Sequence, residues 1–131
     1  MQDLVGVTHS ERLVVGEEEA ISFLGHEGTR VLGTPWMILW MERTARNAVK
    51  PLLPAGWDTV GTVVNVKHLS AALLGTEVTF RAEVVEQSAK RLVYRVSAEG
   101  AHGLVGEGLH ERALIDVERF AAGLARRANG G

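Results

Sequence analysis

Hydrophobic and polar residues change their spacing twice along this chain, and each change predicts a different kind of element. Residues 4–15 are rich in β-branched residues and predict a strand, which the glycine and three glutamates at 16–19 interrupt. From Thr34 to Lys50, apolar residues recur every three or four positions, as they do along one face of a helix. Beyond residue 59 the pattern is that of strands again. The order of elements is therefore strand, helix, strands.

The ends of the helix have local signals of their own. Threonine is a good N-terminal cap, and proline suits the first helical position, so Thr34 and Pro35 predict the start. Pro51 disfavours helical geometry in the residue before it, so the helix should end near Lys50. One apolar helix of about four turns is the result.

The second half of the chain predicts long strands joined by short turns. Residues 76–86 alternate between apolar and polar side chains, as a strand with one buried face does. Further strands are predicted at 59–71, 91–100 and 104–117, and a short final helix at 118–127. The last three of the four strands should form an antiparallel meander, and residues 126–131 should be a frayed tail. The fold class is α+β, and a helix wrapped by a curved antiparallel sheet, an α+β barrel and a ferredoxin-like variant all fit this order.

Composition narrows the class of protein. The 131 residues fit one domain, 1–131, and 46% of them are hydrophobic, which is enough for a core. The net charge of −2 gives no reason to expect nucleic acid or an anionic membrane as a partner. The absence of cysteine excludes disulfides, thiolate metal sites and a cysteine nucleophile. The N-terminus lacks the features of a secretory signal, and no apolar run is long enough to span a bilayer, so a cytoplasmic location is expected.

Three residues are candidates for chemistry, and each has a structural alternative. Glu42 is a carboxylate on an apolar helix, where it is either a buried base or half of an exposed ion pair with Arg43. His68 lies near the end of a strand and is either catalytic or structural. Thr34 is either a helix cap or part of a helix N-terminus whose free N–H groups and positive dipole end suit a thioester oxyanion or a carboxylate. The histidines have no convincing metal-ligand spacing, and no nucleophile elbow, phosphate loop or dinucleotide fingerprint occurs.

Four segments together resemble the fluoroacetyl-CoA thioesterase family of hot-dog proteins. They are GTPWMILWMERTARNAV, GTVVNVKHLSAALLGTEV, RLVYRVSA and GEGLHERALID, within a match from about Glu11 to about Ala125. The most specific parts are Thr-x7-Glu, Gly-Thr-x5-His and the Gly-x-x-His-Glu-Arg-Ala segment. The resemblance implies the hot-dog fold, with a long central helix wrapped by a curved antiparallel sheet, and hydrolysis of a small acyl-CoA.

The resemblance also implies a site and an assembly. The catalytic set falls on Thr34, Glu42 and His68. Gly61 is expected to bind the acyl-thioester through its backbone and Arg112 through its charge. No metal or organic cofactor is implied, CoA being part of the substrate, and the protein is expected to be a homodimer or a higher oligomer with sites at the subunit interface. The family's phenylalanine-bearing lid has only a short segment in its place here, so fluoroacetyl selectivity is not carried over.

Spacing adds a constraint to this site. Thr34 and Glu42 are eight residues apart, which is about 12 Å along a helix, so one carbonyl cannot easily meet both from the same helix. Either Thr34 lies on the loop that enters the helix and bends inward, or the site combines residues from two chains. Two other functions suit the same fold. One is an enoyl-CoA hydratase, although no acid adjoins His68 in the sequence, and the other is a non-catalytic module that binds an acyl-CoA or a small acid.

Overall fold

The computed structural model describes residues 1–130, and its elements follow the predicted order. The strands are β1 (Thr8–Val14), β2 (Trp57–His68), β3 (Glu77–Gln87), β4 (Arg91–Gly100) and β5 (Gly103–Asp116), and the helices are α1 (Thr34–Val49) and α2 (Val117–Ala128). A 3-10 turn at Lys50–Leu52 follows α1 directly, because Pro51 cannot continue the helical hydrogen bonds. None of these helices is long and apolar enough to cross a membrane within residues 1–130.

The five strands form one antiparallel sheet in the order β1-β3-β4-β5-β2. The predicted meander is confirmed, since β3, β4 and β5 are neighbours both in the chain and in the sheet. Strand β2, which precedes the meander, pairs with β5 and lies at one edge of the sheet. This pairing puts Gly61 of β2 directly beside Arg112 of β5, and His68 beside Gly106.

The core lies between α1 and one face of the sheet. Met37, Met41 and Ala45 follow each other at fourfold spacing on α1 and are almost completely buried. The alternating apolar residues predicted for 76–86 are buried as well: Val78, Phe80, Ala82 and Val84. One helix packed against an antiparallel sheet confirms the α+β class.

Two glycines of β5 allow other elements to approach this strand closely: α1 at Gly106 and β2 at Gly108. A Cβ at Gly106 would collide with the Met37 side chain, and one at Gly108 would overlap the backbone of Asn65 and Val66. Gly106 lies opposite His68 in the sheet register, so this contact also fixes the end of β2 next to α1.

The chain termini differ in part from prediction. Helix α2 continues to Ala128, so residues 126–128 are helical and not part of a frayed tail. The helix begins where the Asp116 side chain accepts a hydrogen bond from the backbone N–H of Arg119, which gives it a proper N-cap. Gly131 lies outside the described residues. At the other end, strand pairing begins at Thr8 and not at Leu4.

Candidate active site

Thr34 does not cap α1, contrary to the structural alternative considered for it. The N-cap is Gly33, no side chain among residues 1–130 caps this end, and Thr34 is the first helical residue. Glycine is acceptable at an N-cap because its extended backbone needs no side chain there. The Thr34 hydroxyl can therefore bond to another partner.

That partner is His68, the last residue of β2. Thr34 Oγ1 lies 2.6 Å from His68 Nδ1, although 34 residues separate the two in the chain. Burial lowers the pKa of His68, so the ring is neutral at neutral pH and its Nδ1 can accept the hydroxyl proton. A hydroxyl bonded to a neutral imidazole is the arrangement of a nucleophile with its base.

An open cavity of about 440 Å³ adjoins this pair. Thr34 and His68 both line it, together with the apolar side chains of Ile21, Phe23 and Leu69. Phe23 is 80% exposed and comes from the segment that precedes α1. A ligand in this cavity would meet an apolar wall and the Thr34–His68 pair.

Glu42 lies about two turns further along α1, in a second cluster. Its Oε2 is 3.4 Å from Nη1 of Arg112 on β5, a residue whose side chain is only 6% exposed. Gly61 faces both, since a Cβ there would overlap Glu42 Oε2 and lie 3.4 Å from Arg112 Nη1. The three family-implied residues Glu42, Gly61 and Arg112 are thus in contact within one chain.

The proposed ion pair between Glu42 and Arg43 is wrong. Arg43 turns the other way, with its Nε 3.0 Å from Glu11 Oε1 and its guanidinium 4.6 Å from the centre of the Trp40 ring. Adjacent helical residues point about 100° apart, so a neighbour in sequence is a poor partner on a helix. Glu42 therefore faces β5 and Arg43 faces β1, toward different ends of the sheet order.

Sequence reasoning missed Thr59 and His110, which complete the second cluster. Arg112 Nε donates to Thr59 Oγ1 (2.7 Å), Arg112 Nη2 donates to the Thr59 carbonyl (3.0 Å), and Arg112 Nη1 lies 3.2 Å from His110 Nε2. The period of two in a strand could have found both, because His110 precedes Arg112 by two residues and Thr59 precedes Gly61 by two.

The two clusters do not meet in a single chain. Thr34 and Glu42 are about 12 Å apart along α1, and their partners His68 and Gly61 lie seven residues apart on β2, which is about 23 Å of strand. No group of three or more histidine or acidic side chains within residues 1–130 is arranged to hold a metal ion.

The fold, compared with solved structures, places the chain among the hot-dog thioesterases. Fluoroacetyl-CoA thioesterase FlK superposes on it with a TM-score of 0.85 at 31% identity, over 96% of this chain and 98% of the other. A Thermus thermophilus protein described as a thioesterase superfamily member gives 0.86 at 29% identity, over 99% and 96%. The hot-dog fold prediction is confirmed.

The family is shown by sequence as well. The model of the fluoroacetyl-CoA-specific thioesterase family matches residues 14–118. The fluoroacetyl-CoA thioesterase of Streptantibioticus cattleyicolor is 35% identical over 105 residues, which are 80% of this chain and 76% of that protein. This chain belongs to that family and is a thioester hydrolase. Solved structures of variants of FlK hold acetyl-CoA in one case and fluoroacetate with CoA in another.

Proposed function

We propose that the protein hydrolyses a small acyl-CoA thioester at a site formed by Thr34 and His68 of one chain and Glu42, Gly61 and Arg112 of a second copy. The observation that carries the proposal is the 2.6 Å contact between Thr34 Oγ1 and His68 Nδ1 beside an apolar cavity. The acetyl-CoA and CoA complexes of FlK variants support CoA thioesters as the substrate class.

The proposed chemistry begins at the Thr34 hydroxyl. His68 accepts the hydroxyl proton as Oγ1 attacks the thioester carbonyl, the C–S bond breaks, and the protonated ring returns the proton to the departing CoA sulfur. Water then attacks the acyl-threonine ester while Glu42 takes one of its protons, the ester C–O bond breaks, and Glu42 gives that proton to Thr34 Oγ1 as the carboxylic acid is released. Arg112 binds the acyl-thioester through its positive charge, and Gly61 binds it through its backbone.

The edge of the sheet supports a second copy as the source of Glu42. Within residues 1–130, β2 pairs only with β5, and its free edge carries the exposed apolar side chains of Val63 and Val64, 42% and 39% exposed. An unpaired apolar edge strand is a template for pairing with another chain. The opposite edge, β1, reads THSERLV and is mostly polar.

Twofold pairing of β2 with its copy would unite the clusters. If the pairing is centred near Val64, His68 lies four residues beyond the centre and Gly61 three residues before it. His68 of one copy is then beside Gly61 of the other, which brings Glu42 and Arg112 of that copy to the Thr34–His68 pair. The spacing conflict between Thr34 and Glu42 disappears.

The first test measures CoA release with a thiol reagent from a panel of short acyl-CoAs, with wild type, His68→Ala, Glu42→Gln and the double variant. Both single variants should lose about 100-fold or more in rate while remaining folded by circular dichroism. Normal turnover by the folded double variant would overturn the site. Acyl-CoA binding without CoA release would indicate a binding module, and loss of enoyl absorbance without thiol would indicate a hydratase.

The second test separates a shared site from a single-chain site. His68→Ala and Glu42→Gln chains, carrying different affinity tags, are co-expressed and the mixed dimers purified. In a shared site, one of the two sites of each mixed dimer has both defects and the other has none, so about half of wild-type activity returns. In a single-chain site every site carries one defect, and the mixed dimer stays as inactive as its parents.

A further inference from the structure

Arg112 is held from three sides, by Glu42 and by two residues to which the family resemblance gives no role, Thr59 and His110. Its side chain is 6% exposed, and a buried cation is costly unless its N–H groups all find acceptors. Nε and Nη2 donate to the hydroxyl and carbonyl oxygens of Thr59, while Nη1 faces both His110 and Glu42. Each guanidinium nitrogen therefore has a partner among the described residues.

His110 can only act as a neutral acceptor in this place. Its Nδ1 lies 2.7 Å from the carbonyl oxygen of Val63, and since a carbonyl only accepts, Nδ1 carries the ring proton. The lone pair of a neutral ring is then on Nε2, which faces Arg112 Nη1 at 3.2 Å. The Tyr94 ring stacks on the imidazole at 6.0 Å between centroids and fixes its plane.

The acceptors around Arg112 differ in strength and in charge. The two contacts to Thr59 are 2.7 and 3.0 Å and the contact to His110 is 3.2 Å, whereas Glu42, the one anion among these partners, is at 3.4 Å. Thr59 and His110 are uncharged, so they fix the guanidinium without neutralising it. Its positive charge stays directed at Glu42, which is 35% exposed and thus faces the open side of the cluster.

We propose that Thr59 and His110 are positioning residues that hold the Arg112 guanidinium in a fixed position beside Glu42. Because Thr59 and His110 are uncharged, they do not neutralise the guanidinium, which binds the thioester through its positive charge. The proposal rests on the thioesterase function and on the substrate-binding role of Arg112 proposed above. Without this clamp of Thr59 and His110, Arg112 keeps its charge but loses its fixed direction. A group that binds the substrate loses affinity when its orientation is no longer set in advance.

The test uses matched substitutions that remove or keep one acceptor. Thr59→Val has nearly the shape of threonine but lacks the hydroxyl, and Thr59→Ser keeps it. Thr59→Val should raise KM about tenfold with a smaller change in kcat, since Arg112 makes a binding contact, and Thr59→Ser should restore KM to within about threefold of wild type. His110→Gln, which can offer an amide oxygen in place of Nε2, should be milder in KM than His110→Leu.

The outcomes distinguish this proposal from the underlying function. If wild type releases no CoA, the thioesterase proposal fails and the clamp proposal, which rests on it, fails with it. If wild type is active and Thr59→Val alters the melting temperature but leaves KM unchanged, Thr59 is merely structural and the clamp is overturned. The same holds if Thr59→Ser is as impaired in KM as Thr59→Val. Should Thr59→Val fail to fold, the same KM comparison between His110→Gln and His110→Leu decides whether the clamp exists.

Discussion

The Thr34–His68 pair and the cluster around Arg112 differ in how they are held, although their residues on α1, Thr34 and Glu42, are only about two helical turns apart. Thr34 is exposed, its partner is half-buried, and one hydrogen bond joins them. Arg112, Thr59 and His110 are all buried, and several hydrogen bonds join them. The first region is open to a ligand, and its single hydrogen bond at an exposed residue should contribute little to folding. The second contains a buried charge, and the fold depends on keeping that charge satisfied.

The largest expected effect comes from removing the buried cation. Arg112→Met should lower the free energy of unfolding by about 3 kcal/mol or more, because buried acceptors on Thr59 and His110 lose a charged donor. Thr34→Val should cost less than about 1 kcal/mol, since it removes one hydrogen bond at an exposed position. Urea denaturation followed by circular dichroism measures both. Equal losses in the two variants would erase the distinction between the regions.

The two histidines extend the contrast to pH. Burial is the main cause that lowers the pKa of both His110 and His68 below 6.5, and His110 is the more buried. For His110, Arg112 also lowers the pKa, while the Val63 carbonyl and the carboxylates Glu42 and Glu111 partly offset this. His68 and His110 therefore take up protons at lower pH in the folded chain than in the unfolded chain.

Stability should accordingly be level above pH 6.5 and fall as the pH drops below it, by at most about 1.4 kcal/mol per pH unit for each histidine. Urea melts from pH 7.5 to 5 measure the slope. His110→Gln should flatten it more than His68→Gln does. If the slope of His110→Gln matches that of wild type, His110 is not the buried neutral group that clamps Arg112.

Sequence reasoning predicted the fold well because the fold depends on how apolar residues are spaced along each helix and strand. The fourfold spacing of Met37, Met41 and Ala45, and the alternation from Val78 to Val84, are local patterns that specify a buried face directly. The bounds of α1 were predicted within one residue by Pro35 and Pro51. The elements of the fold were therefore predictable from residues that are close together in the sequence.

The site was predicted less completely because its contacts are between strands. Thr59 and Arg112 are 53 residues apart, and a register shift between Gly61 and Val63 sets which residues of β2 face His110. A bulge of this kind is decided by pairing with β5 and has no clear signal in one strand. The capping prediction for Thr34 failed for a related reason. Capping preferences expect its hydroxyl to bond to the helix backbone, but the hydroxyl bonds instead to the imidazole of His68, which is 34 residues away in the sequence.

The smallest expected effect provides the control for Arg112→Met. Arg46 makes a two-point ion pair with Asp58, with Nε 2.9 Å from Oδ1 and Nη2 2.7 Å from Oδ2, which is better geometry than the contact of Arg112 with Glu42. The Arg46 side chain is 44% exposed, however, so water takes over much of the interaction when the pair is broken. Arg46→Met should cost less than about 1 kcal/mol at pH 7.

The cost of Arg46→Met should depend on pH in the acid range, which distinguishes it from the cost of Arg112→Met. Hydrogen bonding to Arg46 lowers the pKa of Asp58 below its usual 3.8, so the pair contributes stability above that value and loses it as the pH falls through the lower, folded-state pKa. The difference in free energy of unfolding between wild type and Arg46→Met should therefore vanish in strong acid. The cost of Arg112→Met should in part persist, because the Thr59 oxygens that accept from Arg112 in wild type do not titrate. Urea melts at pH 7 and in the lowest pH range where both chains stay folded compare the two. A cost for Arg46→Met as large as that for Arg112→Met would mean that burial does not set the value of these arginines.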